Sequence, residues 1–250
     1  MLSKSISLVL LMLVPLGASA QAQQDFLKTY VGQSFLLRQH GGWDETLKIK
    51  KENVARYKGS CDQAMQVTGA KLAKGTLEFT VVVIGSVGTI DGKPVCTESP
   101  APQTKKVSIS GFSVQEAESD LEAAVGQVLL TPEQYLASYG LSVSPPVDTP
   151  EVPLSKAIPA GGTKPRLLLG VDPDYPAGAR LAGVGGKVAI GLIIGRDGQI
   201  HEPTISTGAG TPFEAYMLSV LSLWRYEPVR LDGQTIAIRT TVTITFFLKP

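Results

Sequence analysis

Three segments of the C-terminal third decide the fold: VAIGLIIGRDGQI (residues 188–200), TPFEAYMLSVLSLWRYEP (211–228) and TIAIRTTVTITFF (235–247). In the first segment the apolar side chains at positions 188, 190, 192 and 194 share one face, which is the period of a half-buried β-strand. Asp197-Gly198 then predicts the tight turn of a β-hairpin. Ile200 to Thr207 is the expected returning strand, and Pro203 within it favours an edge position or a bulge.

The second segment predicts a helix and the third a long strand. Thr211-Pro212-Phe213-Glu214 has the capping-box pattern with proline at the first helical position, and Pro228 is expected to end the helix. An apolar stripe along this helix must face a sheet; its members are Phe213, Tyr216, Met217, Val220, Leu221 and Trp224. After the turn at Asp232-Gly233, the last strand should carry Ile236, Ile238, Val242, Ile244 and Phe246 on one face and Arg239, Thr241, Thr243 and Thr245 on the other.

The order strand, strand, helix, strand predicts a two-layer α+β domain in which one helix covers one face of a small sheet. A sheet of three strands has two edges. The last strand is rich in β-branched residues, and at an edge it would offer unpaired backbone donors and acceptors to another chain.

A set of motifs over residues 171–250 resembles the C-terminal domain of the TonB family. They occur in a fixed order with compatible spacing: Asp174-Tyr175-Pro176, Ala179, Gly183 to Val188 with Gly186, Asp197-Gly198, Trp224-Arg225-Tyr226-Glu227-Pro228 and Asp232-Gly233. The combination of the Tyr-Pro start with the Trp-Arg-Tyr-x-Pro motif carries most of the resemblance. Any one of these motifs alone would be weak evidence for the family.

The resemblance implies that this domain captures an extended segment of an outer-membrane transporter, which pairs as a strand beside the last strand. The expected contacts are Arg225 together with Ile238, Arg239, Thr240, Thr241, Val242, Thr243, Ile244 and Thr245. Each also has a simpler interpretation. Trp224 and Tyr226 suit core packing, Tyr175-Pro176 suits a turn that orients the chain, Arg225 can pair with Glu227 or Asp232, and the threonine face can simply be solvated.

The remainder of the chain divides into three predicted parts. Residues 142–165 are rich in proline and glycine and are predicted to form a linker. Residues 166–250 are then the TonB-like domain. Residues 21–141 are predicted to form a separate β-rich domain, for which we recognise no family. Strands are expected at Ser34 to Arg38, Thr46 to Lys50, Leu77 to Ile84 and Lys106 to Ile109, mainly antiparallel. Capping boxes at Ser113 to Glu116 and Thr131 to Gln134 predict two helices at the end of this domain.

The first twenty residues have the pattern of a secretory signal peptide. Lys4 precedes an apolar run from Ile6 to Leu16, and Ala18-Ser19-Ala20 is a small-residue cleavage site. The mature protein is therefore expected to begin near Gln21 in the periplasm. The alternative is a leader that stays uncut as an inner-membrane anchor, although the run is shorter than the ~20 residues of a membrane-spanning helix.

Cys61 and Cys96 are the only two cysteines, and an oxidising compartment makes a disulfide between them the expected state. Two free thiols or half of a metal site are the alternatives. Because His40 and His201 are the only histidines, no cluster with metal-ligand spacing is present, and we expect no cofactor.

The composition disfavours two broad functional classes. With 23 basic and 22 acidic residues, the overall charge does not favour nucleic acid. The sequence contains no nucleophile elbow, phosphate-binding loop or catalytic triad, so an enzyme is the least supported class. Asp172, Asp174 and Asp197 stand in Asp-Pro, Asp-Tyr-Pro and Asp-Gly contexts typical of turns.

Three functional hypotheses remain. The first is a periplasmic module that binds extended segments of outer-membrane transporters. The second is an anchored energy transducer coupled to an ExbB/ExbD-like complex. The third is an envelope scaffold that forms a homodimer through its own last strand.

Overall fold

Within the part of the chain that the structure describes, a nine-stranded sheet and a three-stranded sheet form the framework. The computed structural model describes residues 16–37, 46–50, 61–96, 103–112, 118–143, 165–208 and 211–248. These residues form a mixed α+β structure with a mainly β N-terminal part and a C-terminal β/α/β part. The predicted fold class is therefore confirmed.

The N-terminal part contains most of the large sheet. Its elements are α1 (Leu16–Lys28), β1 (Ser34–Leu37), β2 (Thr46–Lys50), β3 (Gln63–Ala73), β4 (Thr76–Ile90), β5 (Lys93–Pro94), β6 (Thr104–Ser110), α2 (Glu118–Val128), β7 (Leu129–Leu130) and α3 (Pro132–Ala137). One face of the sheet packs against α1 and α2 through side chains such as Leu27, Phe79 and Leu121, all at 0% exposure. That burial is the main stabilising contribution of this half.

The C-terminal part contains the small sheet and its covering helix. Its elements are β8 (Leu167–Pro173), α4 (Ala177–Leu181), β9 (Gly186–Ile194), β10 (Ile200–Thr207), α5 (Pro212–Leu221), β11 (Arg225–Tyr226), β12 (Val229–Leu231), β13 (Gln234–Ile236) and β14 (Ile238–Phe246). The small sheet has the order β10-β9-β14. Phe213, Met217 and Val220 of α5 are buried in one apolar core with Val188, Ile190 and Leu192 of β9.

The two parts of the chain share the large sheet. Its main path runs β11-β8-β4-β3-β1-β7, and β6 pairs with both β4 and the parallel strand β2. Strand β8 lies antiparallel to β4, with Gly85 opposite Pro173 and Ile90 opposite Leu169. The predicted division at residues 142–165 stays a prediction, but residues on both sides of it belong to one sheet.

The predicted order of β9, β10, α5 and β14 matches the structure, with two corrections. The helix ends at Leu221 and not just before Pro228, because Arg225 and Tyr226 form β11 opposite Leu169 and Leu167. The predicted strand Thr235 to Phe247 is two strands: β13 pairs with β12 in a hairpin, and β14 begins after Ala237.

Several local predictions can be compared with the structure, and not all of them match it. The capping box at Thr131 is confirmed, with reciprocal bonds between Thr131 and Gln134, whereas the one at Ser113 lies outside the described residues. Thr211 begins α5 but its side chain donates to the Gly208 carbonyl and caps no helix N–H. Strand β3 was not expected, because glycine and alanine weaken its alternating pattern.

Cys61 and Cys96 are joined in a disulfide, with Cα atoms 5.5 Å apart and 35 residues of separation. Helix α1 begins at Leu16 and runs through the predicted cleavage site; residues 1–15 lie outside the described part of the chain. Among the described helices, none has the length and apolar character needed to cross a bilayer.

Candidate functional site

Strand β14 lies at one edge of the small sheet. It pairs antiparallel with β9 over nine consecutive residues, from Ile238 opposite Ile194 to Phe246 opposite Gly186, without a register shift. No other strand within the described ranges pairs with its second edge. This edge is therefore regular and long enough to hold an added strand.

The backbone groups on the open edge of β14 can be identified from the neighbouring strand. Gly195 N–H donates to the Gln199 carbonyl, and Ser206 Oγ donates to the Ala189 carbonyl, so odd-numbered residues of β9 point toward β10. Because antiparallel pairs alternate between bonded and non-bonded positions, even-numbered residues of β9 bond to even-numbered residues of β14. The open edge therefore presents the N–H and C=O groups of Arg239, Thr241, Thr243 and Thr245.

The side chains of β14 alternate as the sequence predicts. Ile238 and Phe246 are buried at the two ends of the strand, and the even-numbered residues between them are half-buried. Arg239, Thr241, Thr243 and Thr245 are exposed on the opposite face. Arg239 lies 3.5 Å from the Glu202 carboxylate, an exposed pair that contributes little to stability.

The other edge of the sheet, β10, is irregular. Its pairing with β9 shifts register between His201 and Thr204 and again between Ile205 and Thr207. Pro203 lacks an N–H, and Glu202 has a φ of 47°, which is rare for a residue other than glycine. Bulges and proline are the features by which proteins prevent strand addition at an edge. Only β14 offers a regular open ladder in the small sheet as described.

A groove of about 550 Å³ runs beside the second half of β14. Its walls include Asp172, Tyr175 and Arg180 on one side and residues 243–248 on the other. Tyr175 is buried, packs edge-to-face against Phe246 with ring centroids 5.9 Å apart, and donates to the Val184 carbonyl at 2.7 Å. The groove therefore borders the open-edge residues Thr243 and Thr245 and has an aromatic wall.

Arg225 lies away from this groove, inside the protein. Its side chain is only 7% exposed and pairs with Glu133 of α3 at 2.7 Å, while Nη1 donates to the carbonyls of Ser222 and Trp224. The structure thus pairs Arg225 with Glu133, and not with Glu227 or Asp232 as the sequence suggested. Glu227 instead accepts from Arg166 at 2.9 Å.

The remaining motif residues lie in the core or in turns. Trp224 is buried, and its indole N–H donates to the Val171 carbonyl at 2.9 Å. A Cβ on Gly186 would overlap the Phe213 ring, so only glycine fits there. Val188, Pro176 and Tyr226 are buried and apolar. Asp197 and Gly198 are turn residues, and Pro228 comes shortly after β11.

Asp174 was expected to be a turn residue, yet it is fully buried. Neither carboxyl oxygen has a hydrogen-bond partner among the described residues, while its backbone N–H donates to the Ile84 carbonyl. Burial raises the pKa of Asp174 to about 7, and the charge of Arg180 opposes this shift. The sequence offers no signal for this environment, because it arises where β8 meets β4.

The described residues contain no group of three histidine, cysteine, aspartate or glutamate side chains that could hold a metal ion. Residues 171–248 match the family described as "Gram-negative bacterial TonB protein C-terminal". No curated protein matches the sequence. The match begins in β8 and ends just after β14, so it covers the open edge and the groove.

Proposed function

The C-terminal part of this chain is a TonB C-terminal domain, and we propose that its strand β14 binds an extended segment of an outer-membrane transporter by strand addition. The family is a non-enzymatic one, and its C-terminal domain implies a TonB-like role in TonB-dependent transport at the Gram-negative envelope. A periplasmic location after removal of residues 1–20 is part of the proposal.

The single observation that carries the proposal is the contrast between the two edges of the small sheet. The edge of β14 is regular over nine residues, whereas β10 has bulges and a proline. The N–H and C=O groups of Arg239, Thr241, Thr243 and Thr245 supply the ladder for the incoming segment. Their side chains tune the choice of partner, because alternate side chains give specificity in strand addition. Arg225 is left out of the contact surface, since it is buried and paired.

The test exploits the alternation of backbone groups. Replacing Thr243→Pro removes one outward N–H and places a ring on the open edge, without removing a bond to β9. We expect transporter N-terminal peptides to bind the purified protein. Thr243→Pro should weaken this binding at least about tenfold. That is more than the loss of one hydrogen bond would cause, because the proline ring also blocks the approach of the peptide. Thr243→Val keeps the backbone N–H and nearly the same shape, so it is the matched control.

Titration calorimetry of the wild type, Thr243→Pro and Thr243→Val with the same peptides tests strand addition at β14. Absence of binding at millimolar peptide rejects strand capture for this domain. Equal affinity of the proline and valine variants places the peptide elsewhere.

The same open edge supports a second candidate function, self-association into an envelope scaffold. Two copies of β14 paired antiparallel would place threonines opposite threonines, which is a favourable cross-strand pair. Sedimentation of the purified protein over a wide concentration range tests this. We expect a dimer that Thr243→Pro converts to monomer, and a wild-type monomer at high concentration rejects the candidate. Coupling to an ExbB/ExbD-like complex through an uncut leader, residues 1–20, stays a prediction.

A further inference from the structure

The outer face of the large sheet is polar and basic over part of its width. Strands β2, β6, β4 and β3 lie side by side, and Lys48 is opposite Ser108, Ser108 opposite Glu78, and Glu78 opposite Lys71. These residues form one row across the four strands, and the rows on either side of it contain Lys50 and Lys106. We call this surface the lysine face; it consists of Lys48, Lys50, Lys71 and Lys106 with Gly69, Ala73, Thr76, Glu78, Thr80, Ser108 and Ser110.

The two faces of these four strands differ completely in chemistry. On the inner face, Leu47, Ile49, Val107, Ile109 and Phe79 are buried against α1 and α2. On the outer face, lysines alternate with serine, threonine, glycine and alanine. Further along β4 the same outer face changes again, because Val82 packs against the core that includes α5. Among the described residues, the lysine face is therefore the part of this sheet surface that the C-terminal region leaves uncovered.

The lysine face carries a net excess of three positive charges. Its one acid, Glu78, accepts from Lys71 at 2.7 Å, and this bond together with the charge of Lys106 holds the pKa of Glu78 below its usual range. Lys48, Lys50 and Lys106 are exposed and form no salt bridge in the described part of the chain. The whole protein has a net charge of only +1, so this excess is local.

The spacing of this surface spreads its charges over an open area. Four strands at ~4.8 Å spacing and side chains repeating every ~6.8 Å make an extended array of ammonium and hydroxyl groups. Neither the groove beside β14 nor a cavity next to Glu133 and Arg225 includes a residue of this face. Small side chains between the lysines leave the ammonium groups free to extend toward one plane.

The composition of the face distinguishes a lipid surface from a protein partner. Protein interfaces depend on buried aromatic and large aliphatic anchors, and the lysine face contains none among its residues. An anionic membrane needs no such anchor, since each lysine near its surface adds a similar electrostatic increment. We propose that the lysine face docks this protein on an anionic phospholipid surface of the envelope.

Vesicle co-sedimentation tests the proposal. The purified protein is mixed with vesicles of phosphatidylethanolamine and phosphatidylglycerol, or with phosphatidylcholine vesicles of the same size. Three net charges predict partition onto the anionic vesicles that is stronger by a factor on the order of one hundred. High salt should abolish the difference, because it screens exposed charges.

The decisive variants keep the overall charge matched. A triple variant with Lys48→Gln, Lys50→Gln and Lys106→Gln should bind anionic vesicles no better than neutral ones. The control replaces Lys28, Lys93 and Lys187 with glutamine, which are exposed residues away from the face, and should bind like the wild type. All proteins are used in the same processed form so that residues 1–20 contribute equally.

Three results overturn the proposal. One is wild-type binding that does not distinguish anionic from neutral vesicles at low salt. Another is equal loss of binding in the two triple variants, since that would reflect total charge and not the face. The third is capture of a soluble polyanion such as heparin without any binding to vesicles.

Discussion

Asp174 shows how one residue can make stability depend on pH. Its carboxyl group is at 0% exposure and has two oxygens without hydrogen-bond partners in the described structure. Burial raises its pKa from 3.8 to about 7. The folded state therefore holds the proton more tightly than the unfolded state. The contribution of this group to stability is largest below about pH 4 and is lost as the pH rises toward 7.

Replacing Asp174→Asn should remove this dependence, because the amide has nearly the same shape and no charge. The carboxyl pKa is 3.8 in the unfolded chain and about 7 in the folded protein. We therefore expect the variant to be more stable than the wild type by up to about 4 kcal/mol at about pH 8, and by less at about pH 5. Urea unfolding of both proteins at the two pH values measures the gap. A gap that is constant or shrinks with rising pH would contradict the assignment.

Strand β14 shows how neighbouring positions of one element have opposite roles. Even-numbered residues bond to β9, and odd-numbered residues direct their backbone groups to the open edge. The alternation is inferred from the bonds of Gly195 and Ser206 on the far side of β9. It predicts that the effect of proline depends on whether its position is even or odd.

Val242→Pro should destabilise the protein by about 3 kcal/mol or more, because it removes a ladder bond to β9 and inserts a ring into the pairing. Thr243→Pro should cost roughly half as much or less, since its N–H faces solvent in the absence of a partner. Chemical denaturation of the two variants measures the difference. If Thr243→Pro proves the more damaging, the alternation is reversed and the open edge belongs to the even-numbered residues.

At the scale of the whole molecule, β8 joins the two parts of the chain. It pairs with β4 along one side and with β11 along the other, and Trp224 donates to the Val171 carbonyl within it. The ion pair between the buried Arg225 side chain and the half-exposed Glu133 carboxylate adds a second connection. We therefore expect the two parts to unfold together in one transition.

Gly85 provides a test of this connection. A Cβ at this position would overlap the Asp172 carbonyl oxygen, so Gly85→Ala should force β8 away from β4 and cost about 1 to 3 kcal/mol. Scanning calorimetry should show one transition for the wild type and two for the variant. Gly69→Ala is the control, because its Cβ meets Thr80 at an ordinary 3.6 Å. Two separate wild-type transitions would show that the parts fold independently.

The sequence by itself determined the local features of the C-terminal domain. The order β9, β10, α5, β14, the threonine face and the turn at Asp197-Gly198 follow from periodicity and turn chemistry, which are encoded in neighbouring residues. The TonB family motifs are recognisable for the same reason, since each is a short run of residues. The Thr131 capping box is likewise a local signal.

Only the tertiary structure decided which groups meet across the chain. The open edge of β14, the partner of Arg225, the burial of Asp174 and the pairing of β8 with β4 all depend on contacts between distant residues. Strand β4 ends at Ile90 and β8 begins at Leu167, and no local pattern selects a partner over that separation. Periodicity states which face of a strand is buried, whereas the neighbouring strand is chosen by the packing of the whole core.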